Sequence, residues 1–211
     1  AAMEPEVPQD SFNLDAEWGP AGCDIRHRFV ASVIYQIPYS AAASGAGSFW
    51  GRMSRRVLGG WQIAAIHQAQ SGFPFTISVF GDTANAGSLL NVNPVRANTV
   101  AGVSPYLPAG ERTAERWFNT AAFVAPPAFT FGNAGRNSVY GPGLQKTDVA
   151  LQRDFAVGGD VHLEFRAEAF NVFNVTNYGT PERFVNTPQF GSVIMAATPA
   201  RQVQFVGRLK F

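Results

Sequence analysis

Five stretches of this chain alternate apolar and polar side chains with a period of two, and the last of them runs to the final residue. Across 200–211, Val203, Phe205, Leu209 and Phe211 share one parity with Gly207, while Gln202, Gln204, Arg208 and Lys210 take the other. Successive strand side chains point to opposite faces, so this segment makes a ribbon with one greasy face and one wet face. The closing strand of a membrane β-barrel has that pattern and ends on such an aromatic. A half-buried edge strand of a soluble sheet looks the same, so the other segments must decide.

The remaining four lie at 24–39, 58–71, 146–156 and 161–173. In the first, His27, Phe29, Ala31, Val33, Tyr35 and Ile37 oppose Arg26, Arg28, Ser32 and Gln36. In the second, Trp61, Ile63, Ala65 and Ala69 oppose Gln62, Gln68 and Gln70, with Ile66 and His67 breaking the rule. The third sets Val149, Leu151 and Phe155 against Asp148, Gln152 and Asp154. The fourth is the clearest: Val161, Leu163, Phe165, Ala167 and Ala169 face away from His162, Glu164, Arg166 and Glu168. A charged row of that kind is costly in a dry core and comfortable in a water-filled lumen, where neighbours pair along the strand. His162, Glu164, Arg166 and Glu168 are therefore read as lumen-facing. Trp61, Tyr35, Tyr39 and Phe211 fall near strand ends, as an aromatic girdle at a bilayer interface requires.

Composition points the same way. Charged residues make up 15% of the chain, below the roughly 25% of a soluble domain, whereas Phe 18 and Gly 21 are abundant. A net charge of +1 with scattered Lys and Arg gives no basis for nucleic-acid binding. Cys23 is the single cysteine, which excludes an intrachain disulfide and a cysteine zinc site. No run reaches the roughly 18 apolar residues of a spanning helix, and the first ten residues do not read as a signal peptide.

Connection lengths give the expected orientation. A tight turn at 157–160 and a Gly, Ala and Ser-rich linker at 40–57 contrast with a long irregular loop over 72–145 and another over 174–199. Barrels keep short turns on the periplasmic side and long loops outside, which makes the C-terminus periplasmic and the long loops extracellular. The even-numbered polar positions of strands three and four must face one another, so their turn needs an odd number of residues. A three-residue loop over Val157–Gly159 or Gly158–Asp160 satisfies this, and a two-residue turn at Gly158 and Gly159 requires a bulge.

A catalytic constellation cannot be assembled. His27, His67 and His162 are dispersed, and His162 with Glu164 provides two ligands at most. Gly45, Gly47 and Gly51 are misspaced for a dinucleotide loop and no P-loop lysine follows. Glu164 and Glu168 lie roughly 13 Å apart along a strand, too far for a glycosidase pair. No cofactor or metal and no enzymatic activity are expected. Ligand contact is assigned instead to the long loop, with Arg112, Trp117, Phe118, Phe123 and Tyr140, together with Tyr106, as the aromatic and cationic candidates.

Five motifs in order, DIRHRFVASVIY (24–35), GGWQIAAIHQAQSGFPF (59–75), RWFNTAAF (116–123), GNAGRNSVYGP (132–142) and FRAEAFNVFNVTN (165–177), resemble the C-terminal barrel of Oar-like TonB-dependent outer-membrane receptors over about 13–211. The resemblance implies part of an energised receptor that takes up, or in some members exports, a bulky ligand across the outer membrane. It implies as partners the outer-membrane lipid bilayer, the barrel-assembly machinery, an unknown ligand and, through an N-terminal part absent from this sequence, the TonB complex. The assembly signal of the family falls here on Val203, Phe205, Leu209 and Phe211. Such receptors carry a plug domain and a barrel of about twenty-two strands. This chain offers about five strands and no plug.

The expected fold is thus all-β: an antiparallel up-and-down meander over 1–211, a partial transmembrane β-barrel of about five strands with long extracellular loops, in the cell outer membrane. The rival reading is a soluble β-rich interaction or carbohydrate-binding domain. It predicts the apolar rows buried against a second layer.

Overall fold

The computed structural model describes residues 7–39, 48–49, 53, 57–87 and 95–211. Gly45, Gly47 and Gly51 lie outside the described residues. The chain is all-β and divides into two compact units. One comprises Ala1–Arg28, Gln70–Leu144 and Thr176–Thr198; the other comprises Phe29–Ala69, Gln145–Val175 and Pro199–Phe211.

The second unit is built on a five-stranded sheet. Its strands are β1 (Arg28–Gln36), β2 (Gln62–Gln70), β7 (Leu144–Gly158), β8 (Val161–Phe170) and β9 (Gln202–Lys210), in the order β1-β2-β7-β8-β9. These are the five alternating segments, each trimmed or extended by a few residues. Four two-residue strands complete the numbering: β3 (Pro74–Phe75), β4 (Asn98–Thr99), β5 (Phe123–Val124) and β6 (Val139–Tyr140). The sheet is an antiparallel meander whose edges are β1 and β9, with no closure between them.

Register confirms the parity argument and refines the turn. Gln152 pairs with Arg166, Asp154 with Glu164 and Ala156 with His162, so even positions of β7 and β8 share a face. The turn itself holds two residues, Gly159 and Asp160, and a register shift between Ala156 and Gly158 supplies the odd residue. The expected three-residue loop is therefore replaced by a shorter turn plus a bulge at Val157. Gly159 takes φ +58, a left-handed conformation that glycine adopts without strain. In β9, Leu209 faces Leu163, Phe205 faces Ala167 and Val203 faces Ala169.

No apolar residue of the sheet is fully buried: those of the edge strands β1 and β9 are open, and those of β2, β7 and β8 are half-buried apart from the exposed Ile66, Ala156, Val157 and Leu163. Phe29, Val33 and Tyr35 of β1 and Val203, Phe205 and Leu209 of β9 are all exposed, Phe205 at 70%. This removes the main support of the soluble reading. The wet face is less pure than the sequence suggested, since Val30, Ile34, Ile66 and Val206 also fall on even positions.

The first unit overturns the expectation of an irregular loop over 72–145. Phe75, Ile77, Ala97, Phe118, Ala122, Phe123, Ala134 and Val139 form a buried core. Phe118 lies at its centre, with the rings of Phe75, Phe123 and Phe190 at 5.9, 6.1 and 5.3 Å. β3 pairs with β6 and β4 with β5, both antiparallel. Gly72 packs against the backbone of Gly141, where any side chain would collide. The N-terminal segment belongs to this unit: Glu17 pairs with buried Arg96 at 3.0 Å and with Arg136 at 3.6 Å, and Asn137 donates to the Pro20 carbonyl at 2.8 Å. Burial lowers the pKa of the Arg96 guanidinium, against the opposing pull of Glu17.

Candidate functional site

Strand alternation brings His162, Glu164, Arg166 and Glu168 onto one face of the sheet, where they meet the even positions of β7 and β9. His162 Nδ1 lies 2.9 Å from Asp154 Oδ1, and Lys210 Nζ lies 2.8 Å from Glu164 and 3.5 Å from Asp154. Arg166 pairs with Glu168, which also accepts from Gln204. Farther along the same face, Gln152 donates to Gln62 at 3.0 Å and Lys146 pairs with Asp148 at 2.9 Å. Arg166 lies between Glu164 and Glu168 on the same face of β8. It serves Glu168, and Lys210 from the neighbouring strand serves Glu164. In the register Glu164 faces Arg208 and Lys210 faces His162, so Lys210 reaches Glu164 along the diagonal, while Arg166 and Glu168 pair two positions apart on β8.

The opposite face carries an aromatic belt. The Trp61 ring stands edge-on to Phe155 and Phe165, each at 6.1 Å, and Phe165 stacks on Phe205 at 6.3 Å. Sequence reasoning missed Arg153, which shares this apolar face. Only 8% exposed, its guanidinium lies over the rings of Phe155 at 4.3 Å and Trp61 at 5.7 Å and donates to the Val57 carbonyl. The signal was its odd number among Val149, Leu151 and Phe155. His67, the other irregularity, sits on this face against the Thr147 hydroxyl at 2.8 Å. Of the residues assigned to barrel assembly, Val203, Phe205 and Leu209 stand on this face, and Phe211 follows β9 with 96% of its surface open.

The loop candidates separate into two groups. Phe118 and Phe123, 1% and 5% exposed, are core residues and cannot reach a ligand, a correction to the sequence reading. Arg112, Trp117 and Tyr140 instead gather near the surface of the first unit. Trp117 Nε1 donates to the Tyr140 carbonyl at 3.3 Å, and the Arg112 guanidinium lies 6.0 Å from the Trp117 ring. Arg26 stacks on the Tyr140 ring at 4.4 Å, the Tyr140 hydroxyl donates to Asp24 at 3.3 Å, and Tyr178 lies 6.1 Å from Trp117. The Tyr106 hydroxyl donates to the Ser138 carbonyl at 2.8 Å. Desolvation raises the Tyr106 pKa, Tyr140 adds to the rise, and Arg26 and Arg112 oppose it. Arg26 was read as a wet-face strand residue; β1 begins only at Arg28, which frees Arg26 to join this cluster. Such an array of rings and guanidinium groups can stack on flat or sugar-like surfaces and pair with anions.

Among the described residues no group of three His, Cys, Asp or Glu side chains could hold a metal ion. The family model described as "Outer membrane beta barrel domain" matches residues 2–204. No curated protein matches the chain, and no solved structure does.

Proposed function

Given that this chain belongs to the family of outer membrane beta barrel domains, we propose that it forms part of the barrel of a TonB-dependent receptor of the Oar-like kind. It is an outer-membrane protein, its meander is a partial barrel, and the lipid bilayer is its partner. In the proposed receptor the odd face of the sheet meets hydrocarbon and the even face, with His162, Glu164, Arg166 and Glu168, borders the water-filled lumen. The observation that carries this reading is that one sheet sets an apolar face with no fully buried apolar residue against an opposite face with paired charges.

β1 and β2 connect at the same end of the sheet as the Gly159–Asp160 turn and the C-terminus, while the long segments join the strands at the other end. This supports a periplasmic C-terminus and extracellular long loops, with Arg112, Trp117 and Tyr140 as ligand contacts. The chain itself carries no catalytic role. It contributes ligand binding and transport to a longer receptor, energised through the TonB complex, and Val203, Phe205, Leu209 and Phe211 address it to the barrel-assembly machinery.

Two measurements on cells producing the full-length parent test this. Solutes depleted from the medium by producing cells should cease to be depleted when the energising complex is removed; equal depletion in both strains refutes energised transport. Phe211→Asp should lower the amount of receptor in the outer membrane, because strand addition reads alternate apolar side chains on an edge strand. Unchanged levels refute the assembly role.

A further inference from the structure

The cluster around Tyr140 holds three kinds of group that make different demands on one ligand, and all of its residues belong to the first unit. Ring faces are the first kind. Trp117 and Tyr178 stand 6.1 Å apart, and Tyr106 and Tyr178 are 46% and 37% exposed, so the rings are open at the surface. Cations are the second. The Arg26 guanidinium lies on the Tyr140 ring and that of Arg112 beside the Trp117 ring, and both side chains are exposed. Arg112 Nε donates to the Leu107 carbonyl at 3.0 Å, and among the described residues neither arginine has an ion-pair partner. Both act electrostatically on the Tyr106 hydroxyl, which places them in one neighbourhood. The third kind is an acceptor. One carboxylate oxygen of half-buried Asp24 accepts from the Tyr140 hydroxyl at 3.3 Å, and among the described residues the other has no donor.

These groups are held in place before any ligand arrives, which lowers the ordering cost of binding. The segment that carries Asp24 and Arg26 is tied down by the Asp24 amide on the Ala21 carbonyl at 2.9 Å, by Asn137 on the Pro20 carbonyl and by Glu17 on buried Arg96. A neutral sugar would satisfy the rings and Asp24 and leave both arginines unpaired. A simple carboxylate would satisfy the arginines and leave the rings bare and Asp24 without a donor. A uronic acid meets all three demands: its C–H face lies on a ring, its carboxylate takes a guanidinium fork, and its hydroxyls donate to Asp24. A small ligand's site encloses most of the ligand, whereas these groups stand open, which suits an extended chain laid across them. We propose that the cluster binds an acidic polysaccharide built on uronic acids, with Arg26 and Arg112 on its carboxylates and Asp24 on its hydroxyls. The inference rests on the reading of Arg112, Trp117 and Tyr140 as ligand contacts and names the chemistry of that ligand.

Calorimetric titration of the full-length parent in detergent micelles with tetragalacturonate, tetraglucuronate, maltotetraose and citrate tests it. At least one of the two uronates should bind, with the neutral tetrasaccharide and citrate weaker by roughly tenfold or more. Arg26→Gln and Arg112→Gln should each weaken uronate binding by about tenfold, and Arg26→Lys should recover part of the loss because it keeps the charge but not the fork. Asp24→Ala should weaken uronate binding and leave citrate unchanged. Equal binding of maltotetraose shows that the arginines are idle, equal binding of citrate shows that charge alone is read, and either result overturns the inference. So does the absence of uronate binding, or uronate binding that both glutamine variants leave intact. Trp117→Ala in the parent then separates this failure from that of the reading beneath it. If producing cells deplete less solute from the medium with that variant, the cluster is a ligand site of other chemistry and only the uronate assignment is lost. If depletion is unchanged, the ligand-contact reading falls as well.

Discussion

Trp117 and Phe118 are neighbours on the chain with different work. Phe118 fills the centre of the first unit's core, so Phe118→Ala should cost about 3–5 kcal/mol of its stability. Trp117→Ala should cost clearly less, because Trp117 is only partly buried, but should weaken the ligand binding proposed for it. Urea unfolding distinguishes them, and equal midpoints would contradict the division of roles. Tyr106 gives a pH signature. Its phenol holds its proton more tightly when folded, so its contribution to stability is intact below the ordinary tyrosine value of about 10 and is lost as pH rises through the raised folded value. Tyr106→Phe should therefore lose less stability than wild type on moving above that value; parallel losses would refute the shift. None of this was legible beforehand. Aromatics in a segment without periodicity look alike whether they fill a core or face solvent, and only the contacts of Phe118 and Trp117 separate them.

At the scale of elements, period and parity carried most of the information. All five long strands were legible because one-sided polarity repeats over nine residues or more. The β7–β8 pairing followed from the same parity, but the position of the extra residue did not, because a three-residue loop and a bulged two-residue turn satisfy it equally. The bulge makes a specific expectation. Deleting Val157 should leave the partnership of Ala156 with His162 intact and be tolerated, whereas deleting Ala150 inverts the faces of half of β7 and should abolish membrane insertion. Similar insertion of both deletants would contradict the observed register. The four strands of the first unit were invisible in the sequence: two residues cannot display a period, and β3–β6 and β4–β5 join positions far apart in the chain. Arg153 was overlooked for the reverse reason, since a strong alternation invites the reader to pass over the one position that breaks it.

For the whole molecule, the account depends on a two-faced sheet whose greasy side meets lipid and whose charged side meets water. On the wet side Lys210 pairs with Glu164 on the adjacent strand and Arg166 with Glu168 on its own, while the apolar residues of both edge strands stand open. Five strands expose two unpaired edges, which the remainder of a larger barrel would cover. The most direct measurement is a spin-label scan along 202–210 in membranes containing the full-length parent, reading accessibility to oxygen, which concentrates in lipid, and to a water-soluble nickel relaxant. The account predicts two waves of period two in opposite phase, with oxygen favoured at 203, 205 and 209 and nickel at 202, 204, 208 and 210. Odd positions that are closed to both reagents, or as open to nickel as the even ones, would contradict it.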